Sequence, residues 1–191
     1  MPQPDHIFAF DIPQETDADI QVVYDKCVDK FGFVPNVLQA YKFNPNKLRH
    51  FMAMYNELML APSGLSKLER EMVAVVVSSA NRCYYCLVAH GQAVRQLSGD
   101  PELGEMMVMN YRVAPLSERQ RGLLDYAWKL TVTPHLVVDS DREELRRIGL
   151  DDSQIFDLCD TVAFFNMSNR MAIGTDMMPN KEYHALNRNP A

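Results

Sequence analysis

Residues 71–91 read EMVAVVVSSANRCYYCLVAHG. The first part holds the densest apolar run of the chain, the six residues 72–77. Just upstream, Ser66-Lys-Leu-Glu69 is a capping-box pattern, so a helix is expected from there to about residue 81. The second part sets Cys83 and Cys86 three apart with His90 four residues on, in a chain that has only four cysteines and five histidines. A second helix is expected over about residues 83–97, stopping near Gly99. On a helix turning about 100° per residue, Cys83, Cys86 and His90 fall within an arc of about 60°. One turn, about 6 Å of rise, separates Cys86 from His90, so imidazole can reach thiol.

That arc has chemical consequences. A thiol has an unperturbed pKa of about 8.5, so reactivity at neutral pH needs a base or a positive field. His90 supplies the base; Arg82 and the helix N-terminus near Cys83 supply the field. A Cys-x-x-Cys pair at the start of a helix can also close a disulfide after modest adjustment. The constellation is competent for thiol redox chemistry.

Working outward, the rest of the chain gives helix after helix. Residues 1–14 contain three prolines and no periodicity, and are expected to form an arm over the surface. Ile20, Val23, Tyr24 and Cys27 make a helical stripe over residues 17–31, stopped by Gly32. A short helix is expected over 36–42 and a longer one over about 45–60, with Leu48, Phe51, Met52, Tyr55 and Met59 on one face. Residues 101–109 read as a short Met-rich helix. Ser117-Glu-Arg-Gln120 is a second capping-box pattern, opening a helix to about residue 131. Residues 140–148 are charged and amphipathic, and 152–174 long and apolar. Only the apolar run 136–138 resembles a strand. The expected class is all-α, as one domain over residues 1–191.

The second capping box lies 51 residues after the first, and at that offset Arg70 matches Arg121. If one helical unit is repeated, the second copy has Gly122 for Glu71, and Pro134 and Val137 for Cys83 and Cys86. Three identities in a short window are readily supplied by chance, and chance is the favoured source.

Composition narrows the function. The net charge of −6 argues against a nucleic-acid partner. No apolar run approaches the roughly 18 residues of a membrane span. The first 13 residues lack a basic n-region and an apolar h-region, and four cysteines are too few for a secreted disulfide scaffold, so a cytoplasmic protein is expected.

Blander readings compete. Cys83, Cys86 and His90, with Glu71, could form a structural metal cluster, although a structural zinc wants four ligands and no second Cys/His pair is near. A thioredoxin-type motif would need a βαβ context. Cys27 and Cys159 fit as structural core cysteines. Glu71 alone would by default face solvent. Asn166, Asn169 and Arg170 form a polar stripe on an apolar helix, which must meet polar partners in a pocket or in a subunit interface. His50 and His135 read as surface or capping residues, and His184 lies in a polar tail. The 12 methionines fill irregular helical packing.

Glu71, Cys83, Cys86 and His90 together match Glu-x11-Cys-x2-Cys-x3-His. This resembles the motif of the AhpD-like alkylhydroperoxidases of the carboxymuconolactone decarboxylase superfamily, and the text of residues 58–97 is similar to that family's redox core. Pro35-Asn-Val-Leu upstream and residues 166–170 downstream resemble its peroxidase-related subgroup. The resemblance implies an all-helical fold, usually trimeric or hexameric, that reduces hydroperoxides without a bound cofactor or metal and draws on a dithiol reductant. It implies that Cys86 is the peroxidatic thiolate, that Cys83 is proton donor and resolving thiol, and that Glu71 and His90 relay protons. Well-known members carry a second histidine between the cysteines; here that position is Tyr85, a further pocket candidate. A decarboxylase-type lyase of the same superfamily is the alternative, though that branch does not rely on a cysteine pair.

Overall fold

The computed structural model describes residues 7–189. Among these residues there are nine α-helices and no strand: α1 Ala18–Phe31, α2 Asn36–Ala40, α3 Pro45–Met59, α4 Lys67–Asn81, α5 Tyr84–Ser98, α6 Pro101–Asn110, α7 Glu118–Val132, α8 Asp139–Arg147 and α9 Asp152–Gly174. No helix among them is long and apolar enough to cross a membrane.

The helix ends follow the local chemistry. Asp17 caps α1, and Gly32 ends it at φ 80°, where a side chain would be strained. Ser66–Glu69 and Ser117–Gln120 both form complete capping boxes. The apolar run 136–138 forms no strand, in keeping with the all-α class. Pro134–Leu136 is a 3-10 turn, and the Asp141 carboxylate takes the Val138 N–H (2.8 Å), which starts α8 instead.

α4 is the centre of the molecule. Every residue from Glu69 to Ser78 is buried, because α5, α6, α7 and α9 pack around it. The 51-residue echo is structural, contrary to the expectation of chance. α4 and α7 are both 15 residues long and start 51 apart, and α3 and α6 end 51 apart at Met59 and Asn110. The shared arginine explains why. Arg70 donates to the Leu58 and Ala61 carbonyls (2.9 and 3.0 Å), and Arg121 to those of Tyr111 and Ala114 (3.0 and 2.8 Å). Each ties down carbonyls at the end of the preceding helical segment.

The chain ends of the described region are clasped together. Ala9 N–H donates to Thr175 and Met178 N–H to Ile7, both at 2.8 Å. Phe8 is buried, with its ring edge-on to Phe43. The expected surface arm is therefore partly core; its first six residues lie outside the described region. Asn180 accepts from the Asn36 N–H (2.7 Å) and donates to the Val34 carbonyl (2.9 Å), fixing the segment after α9 against the start of α2.

Candidate active site

The turn between α4 and α5 places the cysteines. Arg82 adopts φ 56°, the left-handed conformation that ends α4, and the Cys83 N–H returns to the Ser78 carbonyl (2.9 Å). Cys83 is thus the residue just before α5, within one residue of the expected start, while Cys86 sits at the third helical position. Both are almost fully buried, at 1% and 2% exposure, packed with Tyr85 among Phe8, Ala40, Ala172 and Met177.

Glu71 faces the core, not solvent. Its Oε2 lies 2.7 Å from His90 Nδ1, with side-chain exposures of 9% and 13%. The carboxylate only accepts, so Nδ1 carries the proton and a neutral His90 offers Nε2 as its acceptor. Phe165 holds the ring edge-on, with centroids 4.6 Å apart.

The two thiols hydrogen-bond to each other and share a proton unequally. The bond from Cys86 brings the Cys83 thiol down to about 7, with help from the N–H groups of Cys86 and Tyr85 and, whenever His90 is protonated, from its charge, although no cap hydrogen bond closes. The same bond, then burial, pushes Cys86 well up, while Asn169 and Ser168 pull against the rise. In the resting pair the charge therefore sits on Cys83. The helix end bears on Cys83 because Cys83 turns off the end of α5 and meets the N–H groups of Cys86 and Tyr85.

The remaining expected residues divide. Tyr85 is buried and its hydroxyl accepts from the Val37 N–H (3.1 Å) and bonds Tyr183; burial raises its pKa well above the usual range, so it ties α2 to α5 and does not act as a base. Asn169 reaches Cys86 directly. Asn166 bonds Thr131 and Asn81, and exposed Arg170 folds back on Asn166 (2.8 Å). Of the stripe, only Asn169 bears on Cys86. Ser78, Asn81, Ser168 and Tyr183 were missed: Tyr183 comes from 97 residues beyond Cys86, and nothing in its local sequence marks it. Among the described residues, no three His, Cys, Asp or Glu side chains are arranged to hold a metal ion. Cys27 and Cys159 lie elsewhere, Cys159 beside the Tyr126 hydroxyl (3.5 Å).

Residues 45–107 match the carboxymuconolactone decarboxylase family. Over 98% of this chain and 100% of theirs, two solved structures superpose at TM-score 0.95. One is an uncharacterized peroxidase-related protein from Silicibacter sp. TM1040, 56% identical; the other an uncharacterized peroxidase-related protein with an alkylhydroperoxidase AhpD core from Ralstonia eutropha JMP134, 38% identical. The debrominase Bmp8 shares the fold at TM-score 0.77 and 15% identity, over 95% of this chain and 96% of its own. Comparison with curated proteins gives no match.

Proposed function

The chain belongs to the AhpD-like members of the carboxymuconolactone decarboxylase family, and from that membership and the site geometry we propose that it is a thiol-dependent hydroperoxide reductase. The observation that carries the reading is the buried dithiol sharing one proton beside a carboxylate-held imidazole.

Cys86 passes its proton to the Cys83 thiolate and attacks the terminal oxygen of the hydroperoxide. The O–O bond breaks, Cys86 becomes a sulfenic acid, and the departing alkoxide takes the proton held on Cys83 to leave as an alcohol. The restored Cys83 thiolate then attacks the Cys86 sulfur, the S–O bond breaks, and hydroxide leaves as water with a proton supplied through His90 and Glu71. A dithiol reductant returns the disulfide to thiols. No step needs a bound cofactor or metal. General acid–base help from the relay is worth about 10²–10⁴-fold.

The working form is proposed to be a homo-oligomer. α9 is apolar on more sides than the core covers: Phe156 is 69% exposed, and Met167, Met171 and Ile173 are also exposed. Light scattering at micromolar concentration is expected to show a multiple of the 21.9 kDa chain mass.

Mass mapping after treatment with an organic hydroperoxide tests the activity. A Cys83–Cys86 disulfide with Cys27 and Cys159 reduced is expected, together with stoichiometric alcohol. A Cys27–Cys159 bridge, or no peroxide consumption, refutes the reading and leaves the lyase alternative to be assayed.

A further inference from the structure

The hydrogen bonds around the polar stripe of α9 have only one consistent direction. Arg170 can only donate, and its Nη1 meets the Asn166 side-chain oxygen at 2.8 Å. The Asn166 amide nitrogen accordingly faces the other way, donating to the Val162 carbonyl (3.0 Å) and to Thr131 Oγ1 (3.1 Å), whose own proton is committed to the Ala127 carbonyl (2.8 Å). Asn81 Nδ2 then donates to the oxygens of both Asn166 (3.1 Å) and Asn169 (3.0 Å). With its oxygen engaged, Asn169 turns its amide nitrogen toward α4 and α5. One N–H goes to Ser78 Oγ (3.0 Å), whose hydroxyl is spent on the Ala74 carbonyl (2.6 Å). The other is left for the Cys86 sulfur, whose ionisation Asn169 favours together with Ser168.

Asn169 is fully buried, at 0% exposure, so water offers its amide no alternative partner. An N–H donor favours sulfur that carries negative charge over the neutral thiol. Of the other ionisable groups in this cluster, Cys83, Tyr85 and the Glu71–His90 couple lie on α4, α5 or the turn between them, while Tyr55 of α3 and Tyr183 face Glu71 and Tyr85; α9 brings an oriented neutral dipole, its Arg170 being exposed and turned to Asn166. We propose that Asn169 is a further catalytic residue: its side-chain amide, aimed by the Arg170–Asn166–Asn81 chain, holds the negative charge that develops on Cys86 when its proton passes to Cys83. The assignment rests on the reading of Cys86 as the attacking cysteine. It gives the α9 stripe a single purpose, since each member fixes the orientation of the next and the last one touches the reacting atom.

The test isolates Cys86 in a Cys83→Ser background, where the competing thiol is gone. The pH dependence of iodoacetamide alkylation at Cys86 is followed by mass spectrometry, which separates it from Cys27 and Cys159. Asn169→Leu is expected to raise the midpoint by about one unit, a roughly tenfold loss of alkylation rate at neutral pH that is regained in alkali. Asn169→Asp is the second variant, because it keeps the size and the acceptor for Asn81; placing a carboxylate oxygen at the sulfur is expected to raise the midpoint further. An unchanged midpoint in whichever of the two folds overturns the proposal. Alkylation does not depend on peroxide turnover, so a shifted midpoint in a protein that fails to consume peroxide refutes the proposed activity while the Asn169 contact stands.

Discussion

α4 and α7 are built alike and end differently. Both run 15 residues from a capping box, and both place an arginine at the fourth helical position to hold the carbonyls behind it. At the fifth position they part. α4 has Glu71, turned to His90; α7 has Gly122, where an added Cβ would lie 2.4 Å from Ile148 Cδ1. After α4 the chain makes a left-handed turn into the cysteine helix, whereas after α7 Thr133 and Pro134 lead into a 3-10 turn and the charged helix α8. The shared features are scaffold, and the proposed chemistry lies in what departs from them.

The largest contrast concerns the relay. His90→Ala is expected to slow peroxide reduction by about 10²–10⁴-fold at neutral pH and to recover partly in alkali, where the thiols ionise unaided; Glu71→Gln should follow the same profile more weakly, because an amide can still accept from Nδ1. Substitutions on α7 should leave that profile unmoved in any variant that folds. A flat pH profile in His90→Ala would remove the relay from the first step.

Within the pair, the wild-type protein should be alkylated first at Cys83, with a midpoint near pH 7, since its ionisation is lowered and thiolate is present above that pH. Cys86 should react at least tenfold more slowly there, being pushed the other way. Equal labelling at neutral pH would show that the helix end and the shared proton do not separate the sulfurs.

The arginines allow a smaller, purely structural comparison. Arg70 is 3% exposed and Arg121 half-buried. Arg70→Ala should cost about 3 kcal/mol and Arg121→Ala about 1–2 kcal/mol by denaturant unfolding, because the carbonyls left behind at Arg121 can be partly rehydrated. Equal losses would mean that burial does not set the difference. Gly122→Ala should move stability least, by about 1 kcal/mol or less: better helix propensity offsets the crowding of Ile148, whose terminal methyl can rotate away. A larger loss would show that the α7–α8 contact is tighter than it looks.

Much of this was legible in the sequence because the signals are local. The capping boxes, Gly32, the apolar run of α4 and the Cys-x-x-Cys-x3-His spacing each act within a few residues, and the helices formed as those patterns required. What escaped was set by distance along the chain. Nothing near Glu71 reveals that α5, α6, α7 and α9 bury it, and the amide of Asn169 is oriented by a chain of donors that starts at an exposed arginine. The repeat was undervalued for a related reason: three identities carry little weight until the two arginines are seen making the same bonds. The balance between the sulfurs also depended on one residue of helix start. With Cys83 off the helix, its sulfur meets the free N–H groups, a detail that helical spacing alone does not supply.

The central claim is that Cys86 attacks although Cys83 holds the resting charge, and sulfenic-acid trapping after one equivalent of hydroperoxide tests it most directly. Cys83→Ser protein should be labelled on Cys86, with nothing left to resolve the sulfenic acid, and Cys86→Ser protein should not be labelled. Label on Cys83 in Cys86→Ser protein, with Cys83→Ser protein unlabelled, would contradict the account and reverse the two roles.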